Sequence, residues 1–181
     1  VMRALYIRSL LTVVLASGPC FPDELSEARQ HLNAALVPAD FYNWEEAARD
    51  FAAAETLFRA GGDRAGELHA RLGRIRSTVE QERRNLPAVS IELDDELRTN
   101  PLLQSDKQLR MFALIVKGDI DSETLTSTMR EDWEQVLALA IELKDSKWQN
   151  RAAAQLGLAA FYDGDADKAA SAVAQAIQIA S

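Results

Sequence analysis

The sequence is poor in the residues that build metal and thiol sites. It contains one cysteine, Cys20, and two histidines, His31 and His69. A lone cysteine cannot form an internal disulfide or a zinc site, and the two histidines lie too far apart for a helical zinc-protease motif. The alternating carboxylates of 163–167 lack the Gly and Glu that complete an EF-hand calcium loop. We therefore expect no metal site.

Catalytic and cofactor signatures are also missing. The chain has no Gly-Lys-Ser/Thr phosphate loop and no dinucleotide-binding glycine pattern after a strand. No acid, base and nucleophile occur in a pattern that would bring them together. The sequence thus predicts that the protein binds no cofactor and is not an enzyme.

Positive charge is scarce relative to negative charge. Twenty Lys and Arg residues stand against 28 Asp and Glu residues among 181, which gives a net charge of -8. Nucleic-acid binding needs clustered positive charge, so nucleic acid is not an expected partner. The length suits one compact unit rather than two large domains.

Long hydrophobic runs are absent, and only the N-terminus has targeting character. Arg3 and Arg8 precede a short apolar run, 10–16, and then small residues, which is the order of a signal peptide. The run is far shorter than the roughly 20 residues of a membrane-spanning helix. We expect 1–21 to be a signal peptide and the protein to be exported, in a bacterial periplasm; if 1–21 is instead a structural helix, the protein is cytoplasmic. The Ser-Gly-Pro sequence before Cys20 fits a lipoprotein signal poorly.

From residue 22 onward the pattern is helical. Apolar residues recur at spacings of three and four, without the alternation of a strand. All five prolines and four of the eight glycines lie at expected joints; these glycines are Gly61, Gly62, Gly118 and Gly164, where Gly can end a helix and a following Asp can cap the next. The sequence predicts one all-α domain, 22–181, with eight helices: 23–37, 43–60, 64–84, 87–98, 104–117, 128–144, 146–162 and 165–180.

The last two helices carry a repeat signature. Numbered from Asn150, the small residues Gly157, Ala169 and Ala176 fall at positions eight, twenty and twenty-seven of the window 150–181. This spacing resembles the tetratricopeptide repeat. The resemblance implies a right-handed superhelical array, an α-solenoid of about four antiparallel hairpins, in which small residues lie where helices approach most closely. The earlier hairpins match only in outline, and another helical bundle is the alternative.

Tryptophan and histidine positions have structural interpretations. Trp44 and Trp133 occupy equivalent positions at the start of second helices, which predicts packing within hairpins. Trp148 is expected at a hairpin junction, with a stacking surface for a ligand as the alternative. His31 and His69 have no partner for catalysis in the sequence, so we expect both to face solvent.

The resemblance also implies a binding surface. In tetratricopeptide arrays the first helix of each hairpin lines a concave face, and the corresponding positions here are rich in cations. A basic groove would favour an acidic peptide or a terminal carboxylate, whereas ordinary solvated helix charges are the alternative. The residues predicted to contact a partner are Arg29, Arg74, Lys107, Arg110, Lys117, Arg151 and Phe161.

The functional hypothesis follows from the array. We expect a non-catalytic module that binds a peptide or partner domain on the concave face. The alternative is the N-terminal sensory region of a larger bacterial signalling protein whose output domain lies beyond residue 181. The last helix, 165–180, is apolar on most faces, which predicts self-association or continuation of the array through this helix.

Overall fold

The protein is helical throughout the part of the chain that the structure describes. This computed structural model describes residues 22–79, 81–82 and 84–180, and no strand occurs among them. The prediction of an all-α fold is confirmed. None of the described helices is long and apolar enough to cross a bilayer. The expected leader, 1–21, and with it Cys20, lies outside the described residues.

Nine helices occupy the described residues. Their order is α1 Pro22–Ala39, α2 Trp44–Ala60, α3 Arg64–Thr78, α4 Leu86–Thr99, α5 Pro101–Ser105, α6 Lys107–Thr124, α7 Met129–Glu142, α8 Ser146–Tyr162 and α9 Ala166–Ala180.

Side-chain caps explain several of the helix starts. Asp63, Asn85 and Asp145 each accept a hydrogen bond from the backbone N–H three residues later, which satisfies one of the unpaired donors of a first turn. Asn100 accepts from the backbone N–H of Leu102 at the start of α5, and Asp106 accepts from that of Leu109 at the start of α6. The cap at Asp106 divides the predicted helix 104–117, and the separate short helix α5 gives the structure one helix more than the sequence predicted.

The prediction of a turn at Gly118 is wrong. This glycine lies inside α6, which continues to Thr124 and ends at Leu125 with a left-handed φ of 51°. A Cβ atom at Gly118 would lie 3.0 Å from the indole of Trp133, which is itself fully buried. Glycine is therefore present because α6 and α7 approach closely, and it does not end the helix.

Consecutive helices pack together at both ends of the chain. Packed pairs are α1 with α2, α2 with α3, α6 with α7, α7 with α8, and α8 with α9. In the middle, α3 packs on α6 instead of lying along α4, and α4 and α5 pack on α6 as well. Within the described residues α3 and α4 thus do not form a packed hairpin, although the ion pair Arg71–Glu96 links them. The predicted helix 64–84 ends earlier, at Thr78.

The core centres on α6. Every residue of 111–121 is buried, and four helices surround this segment. The largest fully buried side chains include Trp133 and Phe51, and Trp44 is only 6% exposed. Both tryptophans that the sequence predicts to pack within hairpins are buried, and Trp133 lies against Gly118 of the preceding helix α6.

Candidate functional site

A mainly apolar cavity of about 260 Å³ lies among α1, the start of α2, α3, α6 and the start of α8, and we call it the central pocket. Aromatic and aliphatic side chains form most of its walls. They include Leu36, Trp44, Met111, Phe112, Ile115 and Trp148.

Local structure fixes the two indoles of the central pocket. Trp44 is the first residue of α2 and stacks on Phe51, with ring centroids 6.4 Å apart. Trp148 lies in the first turn of α8, where the Asp145 carboxylate accepts a hydrogen bond of 3.1 Å from its backbone N–H. The cap that starts α8 therefore also positions a wall of the pocket. Trp148 is near a helix junction, as predicted, and it also lines a cavity.

His69 lies in the pocket wall, and its pKa is shifted strongly by its surroundings. Its ring lies 4.3 Å from that of Phe112, and the buried Nε2 has no hydrogen-bond partner among the described residues. Burial lowers the pKa of His69 to about 4, although the charge of Asp106 acts in the opposite direction. The imidazole is therefore neutral at neutral pH. The prediction that His69 faces solvent is wrong, while His31 is partly buried and hydrogen-bonds to Asp50 at 2.7 Å.

A cluster of polar contacts joins the α1–α2 turn to α8 at the edge of the central pocket. The Arg151 guanidinium donates to the Asp40 carbonyl at 2.6 Å and lies 3.5 Å from the centroid of the Tyr42 ring. Lys147 pairs with the Asp40 carboxylate at 2.5 Å, and Gln155 donates to the Tyr42 hydroxyl at 2.8 Å. We call these five residues the clasp. Because Asp40 and Lys147 also line the pocket, the clasp forms part of its rim.

The other predicted contact residues lie apart from the central pocket. Arg74 pairs with the largely buried Glu55 at 2.5 Å, and Lys107 pairs with Glu142. Arg110 donates to the Leu97 carbonyl at 3.1 Å. Two further predicted residues are exposed, Arg29 on α1 and Phe161 at the end of α8.

Lys117, also predicted to contact a partner, is 2% exposed and forms a buried charge cluster. Its Nζ lies 2.9 Å from Asp121 Oδ2 and 2.8 Å from Asp132 Oδ2. Burial acts to lower the pKa of Lys117, but the hydrogen bonds that its ammonium donates to both carboxylates raise it. Burial raises the pKa of Asp132 to about 7, and the neighbouring Asp121 carboxylate adds to the rise against the lowering effect of Lys117. This cluster of three is a structural element between α6 and α7.

Asp119 is another buried carboxyl group of α6. It is 4% exposed, and Oδ2 lies 3.9 Å from Arg76 Nε. Burial raises its pKa to about 7, against the lowering effects of Arg76 and Arg151. The indole of Trp44 also acts to lower this pKa. The pKa of Asp119 on α6 therefore depends on Trp44 of the pocket wall and on Arg151 of the clasp.

The prediction from the sequence did not include the α6 residues that line the central pocket. The repeat register selected Lys107, Arg110 and Lys117, whereas the pocket uses Met111 and Phe112 on a neighbouring face. Both faces of α6 are apolar along 111–116, so helical periodicity alone gave no preference between them.

Comparisons with protein-family models, with curated proteins and with solved structures find no match for this chain.

Proposed function

We propose that this protein is a non-catalytic interaction module, built as a tetratricopeptide-like array, that binds a peptide or partner domain by inserting an apolar side chain into the central pocket. The observation that carries the proposal is a pocket with two indole walls, lined by Trp44 of α2, by Leu143 after α7, and by four further helices, α1, α3, α6 and α8. These four are the helices that correspond to the first helices of the predicted hairpins. A pocket shared by all of them supports an inner binding surface.

The size of the central pocket favours a side chain over a cofactor. Its volume of about 260 Å³ falls below the roughly 300–1,000 Å³ of sites for drug-sized ligands. One or two large apolar side chains match such a volume. Binding energy at protein interfaces is concentrated in anchors of this kind, which fill desolvated pockets lined by aromatic residues.

The charges near the pocket support apolar rather than ionic recognition. Neutral His69 adds no charge to the wall, and Asp40 is already paired with Lys147. An acidic partner would have to displace Glu55 from Arg74 or the Asp40 carbonyl from Arg151. We therefore propose that a large apolar residue of the partner provides most of the affinity.

The test is selection of a random phage-displayed peptide library on the immobilised full chain. We expect enriched sequences to share one large apolar or aromatic residue. Gln108, exposed at the pocket wall, offers a way to fill the cavity without altering the core. Gln108→Trp should weaken a selected peptide roughly 10- to 150-fold in calorimetric titration, which corresponds to the about 1.5–3 kcal/mol of burying one large side chain.

Gln30→Trp provides the matched control, since Gln30 is exposed on α1 and does not line the central pocket. This variant should bind the selected peptides as the unmodified chain does. A library that yields no enriched sequence, or selected peptides that bind Gln108→Trp with full affinity, would overturn the proposal.

A further inference from the structure

Two groups of helices flank the central pocket and are both attached to α6. In the first group α1 packs on α2 and α2 packs on α3, and in the second group α7 packs on α8 and α8 packs on α9. Helix α3 joins the first group to α6, and α7 joins the second group to it. The pocket is lined by residues of both groups and of α6. In the described part of the chain, α6 therefore connects two packed groups that have a cavity between them.

The clasp connects the two groups at the rim of the central pocket. Asp40 and Tyr42 belong to the turn between α1 and α2, whereas Lys147, Arg151 and Gln155 belong to α8. The helices that pack extensively on α8 are α7 and α9, which lie in its own group. The clasp thus supplies side-chain contacts at a place where the two groups share no extensively packed pair of helices.

Arg151 is the central residue of the clasp. Its guanidinium lies 3.5 Å from the ring centroid of Tyr42 and 5.1 Å from that of Trp148, and it donates to the Asp40 carbonyl at 2.6 Å. Arg151 is partly exposed, so water can solvate the guanidinium and the carbonyl once they separate. Such contacts can break and form again at a modest cost, unlike the buried ion pairs of Lys117.

Access to the walls of the central pocket is narrow in this state of the clasp. Ile115 is 1% exposed, Trp44 is 6% exposed and Phe112 is 8% exposed, although all three line the pocket. A large side chain of a partner can cover these walls only if the rim of the pocket widens. The rim includes Asp40 and Lys147 of the clasp, so widening it separates clasp residues of the first group from those of the second.

We propose that the clasp is a gate to the central pocket. In the closed form it holds the two groups together at the rim, and release of Arg151 from the turn between α1 and α2 lets the groups separate about α6. Hinged closure of two groups around a ligand is an established type of conformational change. The inference rests on the proposed function for what enters the pocket. The opening itself is a property of this chain and can be measured without a peptide.

The reactivity of a cysteine placed in the pocket wall tests the gate. Ile115→Cys is prepared in the full chain with Cys20→Ser, and its labelling by iodoacetamide is followed by mass spectrometry. Because Ile115 is almost completely buried in the closed form, labelling requires opening, and its rate follows the population of the open form. Arg151→Met should raise this rate at least about tenfold, since it removes a hydrogen bond from a charged donor and a cation–π contact.

A second variant opens the clasp from the other side. Tyr42 is 45% exposed, so Tyr42→Leu removes the ring that contacts Arg151 with little effect on the core. It should also raise the labelling rate of Ile115→Cys, by less than Arg151→Met does, because the hydrogen bond from Arg151 to the Asp40 carbonyl remains. Far-UV circular dichroism should show the helix content of the unmodified chain in both variants.

Two controls separate opening of the gate from general loosening of the fold. Val136 is a fully buried residue of α7 that does not line the central pocket, so Val136→Cys should react at the same rate with and without Arg151→Met. Arg130 is a partly exposed arginine that pairs with Asp163 within the second group. Arg130→Met should therefore leave the labelling rate of Ile115→Cys unchanged.

The labelling rates decide the gate independently of the peptide selection. An unchanged rate at Ile115→Cys in both clasp variants, or an equal rise at Val136→Cys, would overturn the gate. Neither result would affect the proposed function, because a pocket can bind a peptide without a gate. Conversely, a library that yields no peptide would overturn the proposed function and leave the measured opening of the clasp in place.

Discussion

Helices α6 and α9 are opposite extremes of burial within one fold. α6 packs on α3, α4, α5 and α7, and every residue of 111–121 is buried. α9 packs on α8, and Ala176 is its buried residue among the described side chains. Both helices carry apolar residues on more than one face, so the difference comes from the number of neighbours that each helix acquires.

The ion pairs of α6 and of α9 differ in how deeply they are buried. In α6, Lys117 and Asp121 are buried with their partner Asp132, so each charge depends on the others. In α9, the ion pair of Lys168 with Asp165 is exposed, with the lysine side chain 73% accessible. Charged side chains of the same types are therefore part of the buried core at α6, whereas at the start of α9 they form an ion pair on the surface.

Removing the cation from α6 should give the largest effect. Lys117→Met leaves two buried carboxylates without a positive charge, and breaking a buried ion pair from one side typically costs about 3–5 kcal/mol. We expect a corresponding fall in the free energy of unfolding, measured by urea denaturation followed by circular dichroism.

Lys168→Met is the control in α9 and should leave the urea midpoint almost unchanged, because exposed ion pairs contribute little. Restoring part of the stability by combining Lys117→Met with Asp132→Asn would show that the unpaired carboxylate is the cause. Equal losses for the two lysine variants would contradict the distinction between the helices.

The helices that depend on local signals could be predicted from the sequence. Predicted 146–162 and 165–180 agree with α8 and α9 to within one residue, because Asp145 caps α8 and Gly164 adopts a positive φ of 77° in the turn. The close approach of α8 and α9 at Gly157, expected from the repeat pattern, is present as well.

Features that depend on distant packing could not be predicted. The local sequence predicts a turn at Gly118, because the contact that favours glycine there, Trp133, lies on another helix. His69 is polar in sequence, yet its ring packs against Phe112 of α6 and is only partly exposed. The clasp joins residues more than a hundred positions apart, Asp40 and Arg151, which no local pattern encodes.

The buried carboxyl of Asp119 on α6 predicts that the stability of the fold depends on pH, whereas we expect no such contribution from the exposed carboxyl at the start of α9. Its pKa rises from 3.8 to about 7 on folding, so the folded protein binds this proton more tightly than the unfolded chain. The resulting stabilisation is complete below about pH 4 and is lost as the pH rises through 7. A difference of about three pKa units corresponds to roughly 4 kcal/mol across that window.

Asp119→Asn isolates this contribution, since Asp132 titrates in the same range. Urea denaturation between pH 5 and 8 should show a shallower decline in stability for Asp119→Asn than for the unmodified chain. At the start of α9, the side chain and backbone N–H of Lys168 lower the pKa of Asp165, so Asp165→Asn should not flatten the decline. An unchanged slope in Asp119→Asn would refute the assignment.

The smallest expected effects come from one methyl group at each helix contact. Ala has a helix propensity about 1 kcal/mol better than Gly, so Gly→Ala stabilises a helix unless the new Cβ meets an immobile neighbour. At Gly118 the neighbour is the Trp133 indole at 3.0 Å, which is fully buried, and we expect Gly118→Ala to lose roughly 1 kcal/mol. At Gly157 the nearest atom is Val173 Cγ2 at 3.3 Å, on a half-exposed side chain that can rotate, so Gly157→Ala should gain a few tenths of a kcal/mol. Opposite signs in paired urea titrations would support the contrast between a surrounded α6 and an open α9, whereas a loss of equal size at both glycines would show that α9 is held as firmly as the core.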